Sequence, residues 1–136
     1  MRILAIDPGD KRIGIAISDP QRIIASPLCV IEHKKRSEDA KTILAYANEY
    51  GVELIVIGAT FDDDGNLTPQ GRKASRLANE ISSNTSICVE LWDESMSTYS
   101  AKASRYDMNV KKSKRKGHFD AIAATIILQT YLEHHK

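Results

Sequence analysis

The sequence predicts an α/β domain built on a mixed five-stranded sheet, with the element order βββαβαβαα. The first three apolar runs follow one another with only turn chemistry between them, whereas the later runs are separated by segments of helical periodicity. Strands joined by a hairpin pair antiparallel, and a crossover through a helix usually makes its two strands parallel. The chain has 136 residues, 42% of them hydrophobic, which suits one globular domain spanning residues 1–136.

Arg2 to Ile6 is a short apolar run of the kind that forms a buried strand, and Asp7-Pro8-Gly9-Asp10 supplies the turn after it. From Ile13 the pattern alternates. Ile13, Ile15 and Ile17 share one face and Gly14, Ala16 and Ser18 the other, which predicts a strand returning through a hairpin. Ser26 to Ile31 predicts a third strand. A helix follows, with Ser37 as N-cap, Glu38 and Asp39 in its first turn, and Gly51 just past its end. Its apolar stripe is Ala40, Ile43, Leu44, Ala47 and Tyr50. Leu54 to Ile57 reads as a fully buried strand, and Thr60 to Asn66 as a polar loop. Thr68-Pro69 opens a second helix, because proline is tolerated at the first helical position, and Ala74, Leu77, Ala78 and Ile81 form its buried face. Ile87 to Trp92 predicts the fifth strand. Ser97 or Thr98 caps a third helix to about Met108. Phe119 to Leu132 is a last helix, apolar around much of its circumference and so expected to pack against the sheet.

The longest apolar runs, Leu54 to Ala59 and Ala121 to Leu128, fall short of the roughly 20 residues a membrane helix needs. The first residues reach charge by Asp7 without an apolar signal-peptide core, so a cytoplasmic location is expected. Cys29 and Cys88 sit in separate strand-like runs with no C-x-x-C partner, which predicts two buried, reduced thiols. The net charge is +1, yet Lys111, Lys112, Lys114, Arg115 and Lys116 form one basic cluster, leaving the rest of the chain net acidic. That asymmetry points to a polyanion partner.

Ligands in open α/β sheets usually bind beyond the carboxyl ends of parallel strands. Asp7, Gly58-Ala59-Thr60 and Asp93-Glu94 follow the first, fourth and fifth predicted strands, and Asp120 stands in the first turn of the last helix. Taken singly, Asp7 suits a turn, Asp93-Glu94 an exposed strand end, and Asp120 a helix N-terminus. If those strands are neighbours, however, their ends form one acidic rim. Clustered carboxylates repel one another unless a cation sits among them, and an oxygen-rich site suits Mg²⁺ or Mn²⁺. Such ions can activate a water and stabilise a leaving oxygen on phosphorus. An acidic rim and a basic tract make chemical sense together on a phosphodiester, the metals serving the chemistry and the cations holding the polyanion. Lys11 and Arg12, beside Asp7, are further candidate phosphate contacts. Trp92 is expected to pack on an edge strand rather than stack on a base.

The segment from Ile6 to Pro20, together with Leu54-Ile-Val-Ile-Gly58, Asp64-Gly65, Trp92-Asp-Glu94, Ser97-Thr98 and Lys114-Arg-Lys-Gly-His-Phe-Asp120-Ala-Ile-Ala-Ala124, resembles the YqgF/RuvX family in order through nearly the whole chain. The resemblance implies a ribonuclease H-like fold with helices on both faces of the sheet, in a bacterial cytoplasmic protein. It also implies a metal-dependent nuclease, acting on the 5′ end of the small-subunit ribosomal RNA precursor or on Holliday junctions. By matching position, Asp7, Glu94 and Asp120 would be the catalytic metal ligands, with Asp93 a weaker candidate. Two departures stand out. Ala59-Thr60 replaces a common Leu-Pro, and Ser95 replaces a common arginine, removing a donor that could hold phosphate bidentately.

The leading expectation is therefore a Mg²⁺- or Mn²⁺-dependent nuclease of structured RNA, as a monomer or homodimer. A resolvase of branched DNA would use the same site, usually as a dimer. A nucleic-acid-binding module that no longer cuts is a third reading. An actin-like phosphotransferase is disfavoured, since its second domain has no room in this length.

Overall fold

A computed structural model describes residues 1–96 and 118–136. The strands are β1 (Arg2–Asp7), β2 (Arg12–Ser18), β3 (Ala25–Glu32), β4 (Val52–Ala59) and β5 (Cys88–Asp93). The helices are α1 (Arg36–Glu49), α2 (Pro69–Ser82) and α3 (His118–His134), and a 3₁₀ turn, Glu94–Met96, follows β5. The predicted helix from Ser97 to Met108 and the basic cluster lie outside the described residues.

The strands form one sheet in the order β3-β2-β1-β4-β5. β1, β2 and β3 pair antiparallel as a meander, whereas β4 pairs parallel with both β1 and β5. The three parallel strands thus bring their carboxyl ends to one edge. Gly9 makes the first hairpin possible, because a Cβ there would stand 2.2 Å from the Arg12 carbonyl oxygen.

Alternation along the strands sends their side chains to two separate cores. Leu4, Ile6, Ile13, Ile15, Ile55 and Ile57 are fully buried against Ala40, Ile43 and Ala47 of α1 and Ala74, Leu77 and Ile81 of α2. Each such isoleucine or leucine contributes roughly 1.5–3 kcal/mol through burial. On the opposite face, Ile3, Ala5, Ala16 and Val56 meet Ala124, Ile127, Leu128 and Tyr131 of α3. Small residues at Ala5, Ala16 and Ala124 let the helix approach the sheet closely. The hydroxyls of Thr125 and Thr130 bond back to carbonyls of their own helix, satisfying polar groups on an otherwise apolar cylinder. Gln129 ties α3 to the meander, accepting from the Ala25 N–H at 3.0 Å and donating to the Ile23 carbonyl at 3.3 Å.

Two expectations are corrected. Helix α1 begins at Arg36, with Lys35 as N-cap and no side-chain cap, so Ser37 is not its N-cap. The reason is Asp39, whose carboxylate reaches back to the Lys34 N–H at 2.9 Å and to His33 Nδ1, fixing the chain entry two residues earlier. Cys29 is half-buried and Cys88 exposed, both as free thiols. Cys88 opens the edge strand β5. The start of α2 follows expectation: Thr68 Oγ1 accepts from the Gly71 N–H at 3.1 Å with Pro69 at the first helical position. No helix of the described residues is long and apolar enough to cross a membrane.

Candidate active site

Asp7 is the last residue of β1 and is half-buried. Ile3 and Ala5 face α3, so period-two alternation places Asp7 on that same face. On the adjacent β4, Val56 faces α3, and Gly58 two residues on lies against the Ile127 side chain of that helix. A Cβ built on Gly58 would stand 2.6 Å from Ile127 Cδ1 and 2.8 Å from Glu94 Oε1. Glu94 therefore lies over the bare backbone of Gly58, and its carboxylate shares a face and an edge with Asp7.

The direction of α3 brings position 120 to the same edge. Ile127 touches Gly58 near the carboxyl end of β4, while Tyr131 and Leu132 line a cavity with Ile3 and Leu54 near the amino ends of β1 and β4. The helix thus runs opposite to the parallel strands, with its first turn at their carboxyl edge. Asp120 falls in that turn, two helical turns before Ile127, which corresponds to about 10 Å of rise. Nothing is described of its side chain.

Burial and the negative charge of Asp93 both hold the Glu94 carboxyl above its ordinary range, burial being the larger cause. Asp93 is engaged locally: its Oδ1 accepts from the Ser95 N–H at 2.9 Å and the Ser95 hydroxyl at 2.8 Å. Ser95 thus shapes the turn that presents Glu94. Lys11 and Arg12 are exposed at the start of β2, in the loop that follows Asp7. Lys111, Lys112, Lys114, Arg115 and Lys116 lie outside the described residues. Trp92 packs as expected, its Nε1 donating to Thr130 Oγ1 at 3.1 Å and its ring meeting Tyr131 edge-on at 5.1 Å.

Two features escape a reading by sequence. Gly58 looks like a strand terminus until the neighbouring strand supplies Glu94. His33 and Asp39, six residues apart, meet through the short loop between β3 and α1. The second had a signal: a histidine preceding a first-turn aspartate.

The donor set at the rim suits a divalent cation. All candidate ligands are carboxylates, and Glu94 is held in the setting, half-desolvated beside another negative charge, that a bound cation would relieve. Among the described residues no group of three metal-binding side chains is assembled, Asp120 being the one whose side chain is not described.

Residues 1–134 match the family described as RuvX, Holliday junction resolvase. A protein of Clostridium kluyveri is 37% identical over 133 residues, covering 98% of this chain and 97% of its own. One of Thermoanaerobacter pseudethanolicus is 38% identical over 137 residues, covering 100% and 99%. Both carry the name "Putative pre-16S rRNA nuclease". Among solved structures, Thermus thermophilus RuvC in complex with a Holliday junction substrate is similar at a TM-score of 0.65 and 15% identity, covering 100% of this chain and 97% of its own. The fowlpox virus Holliday junction resolvase reaches 0.58 at 15% identity, with 98% and 99% covered. These likenesses place the sheet and its helices in the RuvC-type, ribonuclease H-like fold.

Proposed function

The chain belongs to the RuvX Holliday junction resolvase family and is a nuclease, and from that premise we propose that it hydrolyses phosphodiester bonds of structured RNA, processing the 5′ end of the 16S rRNA precursor in the cytoplasm. The observation that carries this reading is the placement of Asp7 and Glu94 on one face of the carboxyl edge, around Gly58, where α3 also begins.

Asp7, Glu94 and Asp120 are the residues proposed to hold Mg²⁺ or Mn²⁺. A bound ion would supply Lewis acidity to phosphodiester hydrolysis. The chain's own part is to orient the carboxylates and to exclude water on the α3 side through Ile127. Lys11, Arg12 and the cluster Lys111, Lys112, Lys114, Arg115 and Lys116 are proposed to neutralise substrate phosphates.

The test is Mn²⁺-dependent cleavage of a 5′-extended 16S rRNA precursor fragment and a four-way DNA junction by wild type and Asp7→Asn. The expected result is cleavage of the RNA by wild type alone. Cleavage of the junction instead would favour a second reading, Holliday junction resolution, which the family description supports. Resolvases usually act as dimers, so a monomer in sedimentation at working concentration would count against that reading. Metal-dependent cleavage retained by Asp7→Asn would overturn the site assignment. RNA binding without any cleavage would leave a binding module.

A further inference from the structure

The sheet face opposite the carboxylates carries a cleft of about 410 Å³, framed by the β1–β2 turn and the first turns of α1 and α2. Ile13 and Leu77 contribute its apolar lining, and Lys34, Arg36, Lys73, Arg76 and His33 its positive or protonatable groups. Two carboxylates oppose these cations. Asp10 meets Lys73 Nζ at 3.1 Å across the cleft. Asp39 is only 3% exposed and is committed internally, to the Lys34 N–H and to His33 Nδ1.

That commitment has a chemical consequence. A histidine whose Nδ1 is held by a buried carboxylate keeps its Nε2 for another partner. Among the described residues, the side chains of Lys34, Arg36 and Arg76 make no hydrogen bond or ion pair. Arg36 also opens α1, whose N-cap supplies no side-chain acceptor, so the positive end of that helix is at the same place. Lys34, Arg36, Lys73 and Arg76 thus place four positive charges around one concavity whose lining carboxylates are Asp10 and Asp39.

We propose that this cleft binds the phosphodiester backbone of the same nucleic acid that reaches the carboxylates. The inference rests on the nuclease reading and extends it. Pro8, Gly9 and Asp10 border the cleft directly after Asp7, so a strand crossing that turn is gripped on one sheet face and presented to the carboxylates on the other. Arg36 and Arg76 offer planar forks that suit phosphate oxygens, and Lys73 a point charge.

The test uses the full chain carrying Asp7→Asn, in EDTA, with a fluorescently labelled single-stranded RNA read by anisotropy across a salt series. The combined variant Arg36→Ala/Lys73→Ala/Arg76→Ala is expected to weaken binding about tenfold or more. Its log K against log salt slope should fall by about 2, since each lost single-strand phosphate contact removes about 0.7. Lys41→Ala, elsewhere on α1, should change neither. Equal melting temperatures exclude unfolding, and the milder Arg36→Gln/Arg76→Gln provides a second reading if the triple variant unfolds. Binding within twofold of the parent in a folded variant overturns the proposal. So does equal competition by polyglutamate, which would indicate an acidic peptide, or by free inorganic phosphate, which would indicate a small anion. Loss of binding in the triple variant while no substrate is ever cleaved would uphold the cleft and remove the nuclease chemistry. Metal-dependent cleavage with unaltered binding would do the reverse.

Discussion

Glu94 lies against Gly58 so closely that a single added carbon at position 58 would stand 2.8 Å from its Oε1. Gly58 pairs with Trp92, two residues before Glu94, so the carboxylate folds back across the neighbouring strand. The missing side chain is thus a requirement of the site and not of the backbone. Gly58→Ala is expected to displace both Glu94 and Ile127, lowering metal-dependent cleavage at least tenfold and stability by about 1–3 kcal/mol. Cleavage assays and urea unfolding measure the two effects, and an unaltered cleavage rate would show that Glu94 needs no such space.

The raised carboxyl of Glu94 makes a prediction about acid and base. A carboxylic acid whose folded pKa exceeds its unfolded value of 4.5 contributes stability that is fully present below that value. The contribution is lost as pH rises through the folded pKa. Without metal, Glu94→Gln should therefore be more stable than wild type at pH 7, and the gap should close in acid. Added Mn²⁺ should stabilise wild type more than the variant. Thermal unfolding across pH checks this, and a variant less stable than wild type at neutral pH would refute it.

Tyr131 carries a second titration. It is 5% exposed, and its hydroxyl donates to Glu90 Oε2 at 3.0 Å. Burial first, then the bond to Glu90 and that residue's charge, push its pKa up to about 12 from 10.0. Its stabilising contribution is complete below pH 10.0 and declines as pH rises towards 12. In an alkaline absorbance titration, Tyr131→Phe should remove a late-ionising phenol. The bond to Cys29 raises Tyr46 as well, so the readout is amplitude, and a late step of undiminished amplitude would refute the assignment.

Thr68 tests the start of α2. Removing its oxygen in Thr68→Ala should cost about 1 kcal/mol, while Thr68→Ser keeps most of it. Equal unfolding midpoints for the two variants would mean that the cap contributes nothing.

The thiols should differ in reactivity. Cys88 is exposed, whereas Cys29 is half-buried with its pKa raised by burial. A maleimide reagent should modify Cys88 first, with peptide mapping as the readout. Preferential labelling of Cys29 would contradict this.

Much of the architecture was legible because it rests on local rules. Alternation in Ile13, Ile15 and Ile17 set the face of β2, and Thr68-Pro69 marked α2. The rim was legible as a set of strand ends, but its convergence depended on strand order. Only the placement of β4 between β1 and β5 puts Gly58 under Glu94. Ser37 misled because N-cap preference is weak beside a carboxylate that can reach the chain before the helix, as Asp39 does. Cys88 misled because its apolar run belongs to an edge strand with one open side.

The two bonds of Gln129 span 104 and 106 residues of sequence. They join the last helix of the chain to its first hairpins, and such contacts are entropically late. During synthesis the meander emerges first, and its α3-facing surface of Ile3, Ala5 and Ala16 stays uncovered until the final helix is released. We predict that docking of α3 is the slow folding step. Trp92 is the sole tryptophan and touches Tyr131 of that helix, so its fluorescence should reach the native value after far-UV ellipticity does. Simultaneous recovery of both signals would exclude this order. On this order the first turn of α3 reaches the carboxyl edge of the sheet only once the helix has docked.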